Sequence, residues 1–395
     1  MNPRIVIAGF VAAVAFCARA AEESWKVGRM VGGPRGWATA TELLDGRVLI
    51  AGGHAQHDDH LTSCVLFDPA SDATRLTGSL HTSRHEHTAT LLKDGRVLVV
   101  GGYTLPQQWL DDAEIYDPKS GEWKIVKPLF KHGVEHRSVL LPDGRVFVLG
   151  GAIGSGEFSD RGEFFDPRND SWTESHVHWK TMANFSVTPL KDGSLFLAGG
   201  DLTAGQTPTA LVYDPAADEI RHSIELPRTF YWHSATLLAD GRVLVTSGST
   251  GEWNIVGNTY VIDPANARIE PGPAMKSGSI CHGSIQLPDG GLLVIGGSSA
   301  GQVGKPLNVV ERLDPKTGRW TEGPALNSPR CLCTAVAQLR DGRIVVFGGD
   351  NGVEGIGTME TLPAAGFKTN TTPEQEIQVP GWIAFAPRIS YTNGL

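Results

Sequence analysis

The chain has 395 residues and a formal net charge of −9, with 48 glycines and 24 prolines. An acidic chain without a basic block argues against nucleic acid as a partner, and after residue 20 no stretch is apolar and long enough to cross a membrane as a helix. So much glycine and proline suits an all-β protein with many tight turns.

In chain order, Arg4 leads an apolar stretch from Ile5 to Phe16, and Ala18-Arg19-Ala20 has the A-x-A form of a signal peptidase site. Residues 1–20 are therefore predicted to be a signal peptide, and the chain is expected to be exported, to a periplasm or out of the cell. Phe16 before Cys17 is too large for a lipoprotein cleavage box.

A double glycine then recurs at Gly52-Gly53, Gly101-Gly102, Gly150-Gly151, Gly199-Gly200, Ser247-Gly248, Gly296-Gly297 and Gly348-Gly349. Asp45, Asp94, Asp143, Asp192, Asp240, Asp289 and Asp341 stand seven residues before these pairs, joined to them by apolar runs such as Arg96 to Val100. A unit of about 50 residues with four short strands cannot bury both faces of its sheet alone, so it stacks on neighbours as a propeller blade. Within the second unit, His87 to Leu92 reads as strand A, Asp94-Gly95 as a tight hairpin with positive φ angles, and Arg96 to Val100 as strand B. Strand C ends in Ile115-Tyr116-Asp117-Pro118, and strand D surrounds Trp123. Asp-Pro recurs at Pro69, Pro118, Pro167, Pro215, Pro264 and Pro315 as the C to D turn, while the seventh unit keeps Leu362-Pro363.

Trp25 lies as far before Asp45 as Trp123 lies before Asp143, so residues 24 to 30 supply a D strand with no A, B or C ahead of it. That strand is expected to complete the seventh sheet. Residues 21–365 form one propeller domain on this reading. Residues 366–395 are left over as a C-terminal tail, apolar enough at Trp382, Phe385 and Ile389 to be expected to pack on it.

Glycine pairs ending a central strand, an aromatic residue before Asp-Pro and a strand-D tryptophan together resemble the kelch repeat, from about Ser24 to Pro363. The resemblance implies a seven-bladed antiparallel propeller with strand A lining a central channel, and it leaves function open, because such propellers serve as adaptors, structural proteins and enzymes.

Function is expected where A strands begin and B strands end, since those loops stand on a rigid ring. Seven residues before each Asp-Gly, a column reads Ala38, His87, His136, Phe185, His233, His282 and Thr334. The histidines suit structural pins that hydrogen-bond a loop carbonyl across the gap between blades; they equally suit a binding or catalytic set. His54, His57 and His60, with Asp58 and Asp59 between them, are candidate ligands for zinc or another transition metal, with His85, Glu86 and His87 of the next blade expected nearby. The spacing matches no standard zinc motif.

The scaffold is also similar to that of galactose oxidase, a secreted copper radical enzyme that requires tyrosines near strand-A starts. Here the position before the column reads Trp37, Glu86, Glu135, Asn184, Trp232, Cys281 and Cys333, and Tyr231 is one place off. An epimerase or lyase could draw an acid–base set from Glu86, Glu135, His87, His136, Arg84, Arg137, Tyr231 and His233, with Trp37, Trp179, Trp232 and Phe230 as stacking surfaces for sugar rings. The reading preferred over these enzymes is a recognition module whose loop face binds a glycan or a protein. Its candidate binding residues are His87, His136, His233, His282, Glu86, Glu135, Arg84, Arg137, Tyr231 and Trp232. Past the signal peptide, Cys64 reads as a buried thiol, and Cys281 is expected to pair with Cys331 or Cys333.

Overall fold

The computed structural model describes residues 24–56, 59–106, 108–179, 183–200, 208–250, 254–300, 304–331 and 335–364. The expected signal peptide and tail, His57, Cys333 and Thr334 lie outside the described residues. Among the described residues there is no α-helix, and none that is long and apolar enough to cross a membrane.

Seven four-stranded antiparallel sheets follow one another. In the second, the order from the axis outward is Thr88–Leu91, Val97–Val100, Ala113–Asp117 and Glu122–Val126. All four residues of Val97–Val100 are buried, because neighbouring blades cover both faces of the sheet; an uninterrupted Val-Leu-Val-Val run is what such a strand needs. The innermost strands touch in turn from the first blade to the fifth and from the sixth to the seventh, and Ala335–Gln338 touches Thr39–Glu42 to close the circle.

The seventh sheet is completed from the other end of the chain. Lys26–Arg29 pairs antiparallel with Thr358–Leu362, outside Ile344–Phe347 and Ala335–Gln338, as the tryptophan spacing predicts. The A–B hairpin differs from the expectation in one respect: Gly95 alone has positive φ, at 92°, and Asp94 does not. Leu92 N bonds Arg96 O at 2.8 Å and Gly95 N bonds Leu92 O at 3.0 Å, so the turn is a longer loop with a left-handed glycine. Asp94 instead accepts from the backbone N–H of Arg96 at 3.0 Å and pairs with its guanidinium.

The double glycine is where a blade meets the next. Gly102 (φ 104°) donates its N–H to Gly133 O at 2.6 Å in the following blade, and a Cβ there would lie 2.7 Å from His85 O. In the fifth blade Ser247 takes the first glycine's left-handed place at φ 56°. Its hydroxyl donates to Ser279 O and accepts from Ser279 N, replacing the clash with hydrogen bonds.

Four C strands carry a buried glutamate: Glu114, Glu163, Glu311 and Glu360. Each receives the loop entering an A strand; Glu360 accepts from Asn327 N, Ser328 N and the Arg330 guanidinium. Buried carboxylates are tolerated because each is saturated with donors.

Candidate functional site

Among the described residues, six of the loops that enter an A strand make a one-residue bridge with the residue just after a double glycine. The pairs include Gly36 with His54, His85 with Tyr103, Val134 with Ala152, Tyr231 with Ser249, and Ile280 with Ser298. The D–A and B–C loops therefore share one end of the propeller. Between bridge and strand stands a single left-handed residue, and it is not glycine: Trp37, Glu86, Glu135, Asn184, Trp232 and Cys281 have φ of 51–62°. Trp37 of the first blade packs with Ile280 and Cys281 of the sixth, Cys331 of the seventh and half-buried Trp232 of the fifth, so these positions converge at the axis. The mouth has an apolar arc on that side and a polar arc of Glu86, Glu135 and Asn184 on blades two to four.

The histidine column lies one residue further in. His87 Nε2 bonds Thr39 Oγ1, His136 Nε2 bonds Thr88 Oγ1, His233 Nε2 bonds Ser186 Oγ and His282 Nε2 bonds Ser234 Oγ, all at 2.9 Å. The partner of Nε2 is the residue that follows the column position in the preceding blade, a hydroxyl; the loop carbonyl expected is met at the other nitrogen of His282, whose Nδ1 donates to Ser279 O at 3.2 Å. Where the column breaks, its partner changes with it: the Arg137 guanidinium sits 5.5 Å over the Phe185 ring, and Ala38 packs with Ala335. The six described column residues, Ala38, His87, His136, Phe185, His233 and His282, are buried between blades.

Burial pushes the His233 imidazole down to about 3 and that of His282 to about 4, and holds His87 and His136 well below the ordinary value. The unfolded chain takes up protons as pH falls through about 6.5, and the folded chain does not. Stability is therefore complete above that pH and is lost as pH falls toward the folded values, each histidine contributing up to about 1.4 kcal/mol per pH unit. At pH 7.5, His87→Ala is expected to cost roughly 1–3 kcal/mol, because Thr39 loses its buried partner. Urea titrations at several pH values should also show a shallower acid slope for this variant. A parent-like slope would mean that His87 takes up its proton in the folded state.

Arg84 does not reach the mouth. It is buried, with bonds to Gly101 O and Glu114 and an ion pair to Asp112. Arg137 donates to His136 O at 3.0 Å beside the polar arc. Tyr231 and Trp232 are half-buried at the mouth, whereas Trp37, Trp179 and Phe230 are buried in apolar packing and present little ring face to a sugar.

His54 and His60 do approach the next blade, their rings 5.5 and 4.6 Å from that of His85. Tyr103 and Trp109 extend the cluster on a short hairpin, Tyr103–Thr104 with Gln108–Trp109; a like hairpin, Ala152–Gly154 with Glu157–Phe158, follows the double glycine of the third blade, without these aromatic residues. His60 Nδ1 accepts from Leu105 N at 3.1 Å, which places a neutral ring's proton on Nε2. Among the described residues no group of three or more His, Cys, Asp or Glu side chains is placed to hold a metal ion. Cys64 and Cys331 are buried thiols, the latter pushed up to about 12 by burial, so Cys281 and Cys331 form no bridge.

The family model for the kelch motif matches residues 87–129 and 284–327. Spermatocyte protein spe-26 of Caenorhabditis elegans is 29% identical over 137 residues, which are 32% of this chain and 22% of that protein. The chain thus spans about a fifth of the length of this curated relative. Among solved structures, a fungal alcohol oxidase of the AA5 family in complex with copper superposes with a TM-score of 0.70. It is 16% identical, over 86% of this chain and 76% of that one, a likeness of fold alone. With seven recurring sheets, a seventh closed by the N-terminal strand and kelch motifs matched in two blades, the chain is a seven-bladed kelch-type β-propeller.

Proposed function

We propose that this propeller is an exported protein-recognition module that presents the loop end around Trp109, Tyr103 and Tyr231 to its partner. The observation that carries this reading is the commitment of the column histidines to bonds between blades, which withdraws them from proton transfer at the surface. Protein is preferred over glycan because Trp37, Trp179 and Phe230 are spent on the core, whereas a sugar site needs exposed ring faces. Kelch propellers commonly bind proteins, which agrees with this choice.

A photo-crosslinking residue at position 109 or 231 should yield discrete adducts with proteins of the compartment to which the chain is exported. The same residue at Lys93 or Lys191, exposed on the opposite end, should yield none. Equal adducts from both ends, or defined hits on a glycan array that Tyr103→Ala removes, would overturn the reading. N-terminal sequencing of the exported chain tests the other element: it should begin at Ala21.

A further inference from the structure

The polar arc holds one group that the fold does not explain. Glu86 is 7% exposed, yet its Oε2 has no hydrogen-bond partner among the described residues, while its Oε1 faces His85 Nδ1 at 3.5 Å. The buried glutamates of the C strands are saturated with donors; this one stands at the mouth, in a left-handed conformation that a glutamate seldom adopts. Unsatisfied buried carboxyl oxygens are costly and need a reason. Aromatic rings gather around its neighbour His85: Trp37 lies 6.1 Å and Tyr103 5.5 Å from the His85 ring. A buried carboxylate next in sequence to the centre of an aromatic cluster suits an organic cation. Oε2 is enclosed, so at most one oxygen of this carboxylate can meet an incoming group, and that selects among cations: a guanidinium fork needs both oxygens, whereas an ammonium is a point charge that needs one.

We propose that Glu86, with His85, Trp37 and Tyr103 around it, binds an alkylammonium group at the mouth of the propeller. The inference rests on the recognition reading above and names the chemistry of its anchor, the side chain of a lysine on the partner. Burial holds the empty carboxyl well above the usual carboxylate range, so an incoming ammonium converts –COOH to –COO⁻ and one proton leaves to solvent.

The test is calorimetric titration of the intact protein with Nα-acetyl-lysine methylamide, n-butylamine and, as the uncharged control, n-butanol. Both amines should bind saturably with proton release, seen as a heat that depends on the buffer's ionisation enthalpy, and the alcohol should not bind. Glu86→Gln keeps the shape and should weaken amine binding about tenfold or more, the loss of one charge-assisted hydrogen bond. Glu135→Gln serves as the neighbouring control and should weaken it less. Binding that survives Glu86→Gln, equal binding of the alcohol, or no amine binding to a folded parent overturns the proposal. Butylamine binding without the lysine derivative supports the same chemistry with a free amine as its source. Crosslinking from the loop end without amine binding would sink this inference alone, and amine binding without crosslinks would sink the protein-recognition reading alone.

Discussion

Replacing Glu360 with alanine should cost the propeller about 3–5 kcal/mol, because it leaves the Arg330 guanidinium buried without its counter-charge. Both side chains are fully buried, and the pair stands at 2.5 Å. Burial lowers the Arg330 pKa and the charge of Glu360 raises it, so the carboxylate is what keeps the cation tolerable inside. Glu360 also holds the loop into the seventh blade through Asn327 N and Ser328 N, and Arg330 donates to Gly348 O, within the glycine pair that meets the first blade. The loss therefore falls on the closure of the ring. Urea unfolding followed by tryptophan fluorescence is the measurement. Glu322→Ala, which breaks the exposed pair with Lys276, should change little. Arg330→Met combined with Glu360→Leu should lose less than the two single changes together, since neither charge is then stranded. If Glu360→Ala and Glu322→Ala behaved alike, the buried pair would not be what secures this blade.

The scaffold was legible because each of its devices recurs. Glycine pairs, Asp-Gly and Asp-Pro all stand at backbone positions whose geometry few other residues satisfy, so seven copies reveal the period without an alignment. Closure was legible too, since Trp25 stands at a strand-D spacing without the A, B and C signals of a blade before it. The histidine column was found but not its partners, although the signal was present: the residue after each column position is Thr39, Thr88, Arg137, Ser186 and Ser234, and it matches the next blade's column as hydroxyl to histidine or guanidinium to ring. Reading the column within single blades conceals a pair that spans two. The mouth was less legible because its backbone repeats there and its side chains do not. Trp37, Glu86, Asn184 and Cys281 share a left-handed backbone while differing in chemistry, and a glutamate in that conformation looks like any other in sequence. Arg84 was misplaced for a related reason: a cation near a strand start looks exposed until Glu114 and Asp112 are seen to enclose it.

Trp25→Ala should destabilise the chain by about 3–5 kcal/mol, the usual range for emptying the space of a buried aromatic. The indole is 4% exposed and packs with Leu287, Leu293, Leu326, Val346 and Leu362 between the sixth and seventh blades, and its Nε1 donates to Pro324 O at 2.7 Å. Asn327 returns a bond to Trp25 O at 2.9 Å. The loss is therefore at the seam between sheets, although the residue belongs to the other end of the chain. Removing residues 24–30 altogether should do more than the point change. It strips Thr358–Leu362 of its antiparallel partner and leaves a row of unpaired backbone groups on an edge, an invitation to pair with a second chain. Lower cooperativity in urea and larger species by light scattering are expected for that truncation. Val27→Ala is the control within the same strand, since its side chain is 56% exposed and contributes little packing. Parent-like unfolding of Trp25→Ala would show that the seventh blade holds with its three remaining strands, and that the N-terminal strand is an appendage rather than the clasp of the ring.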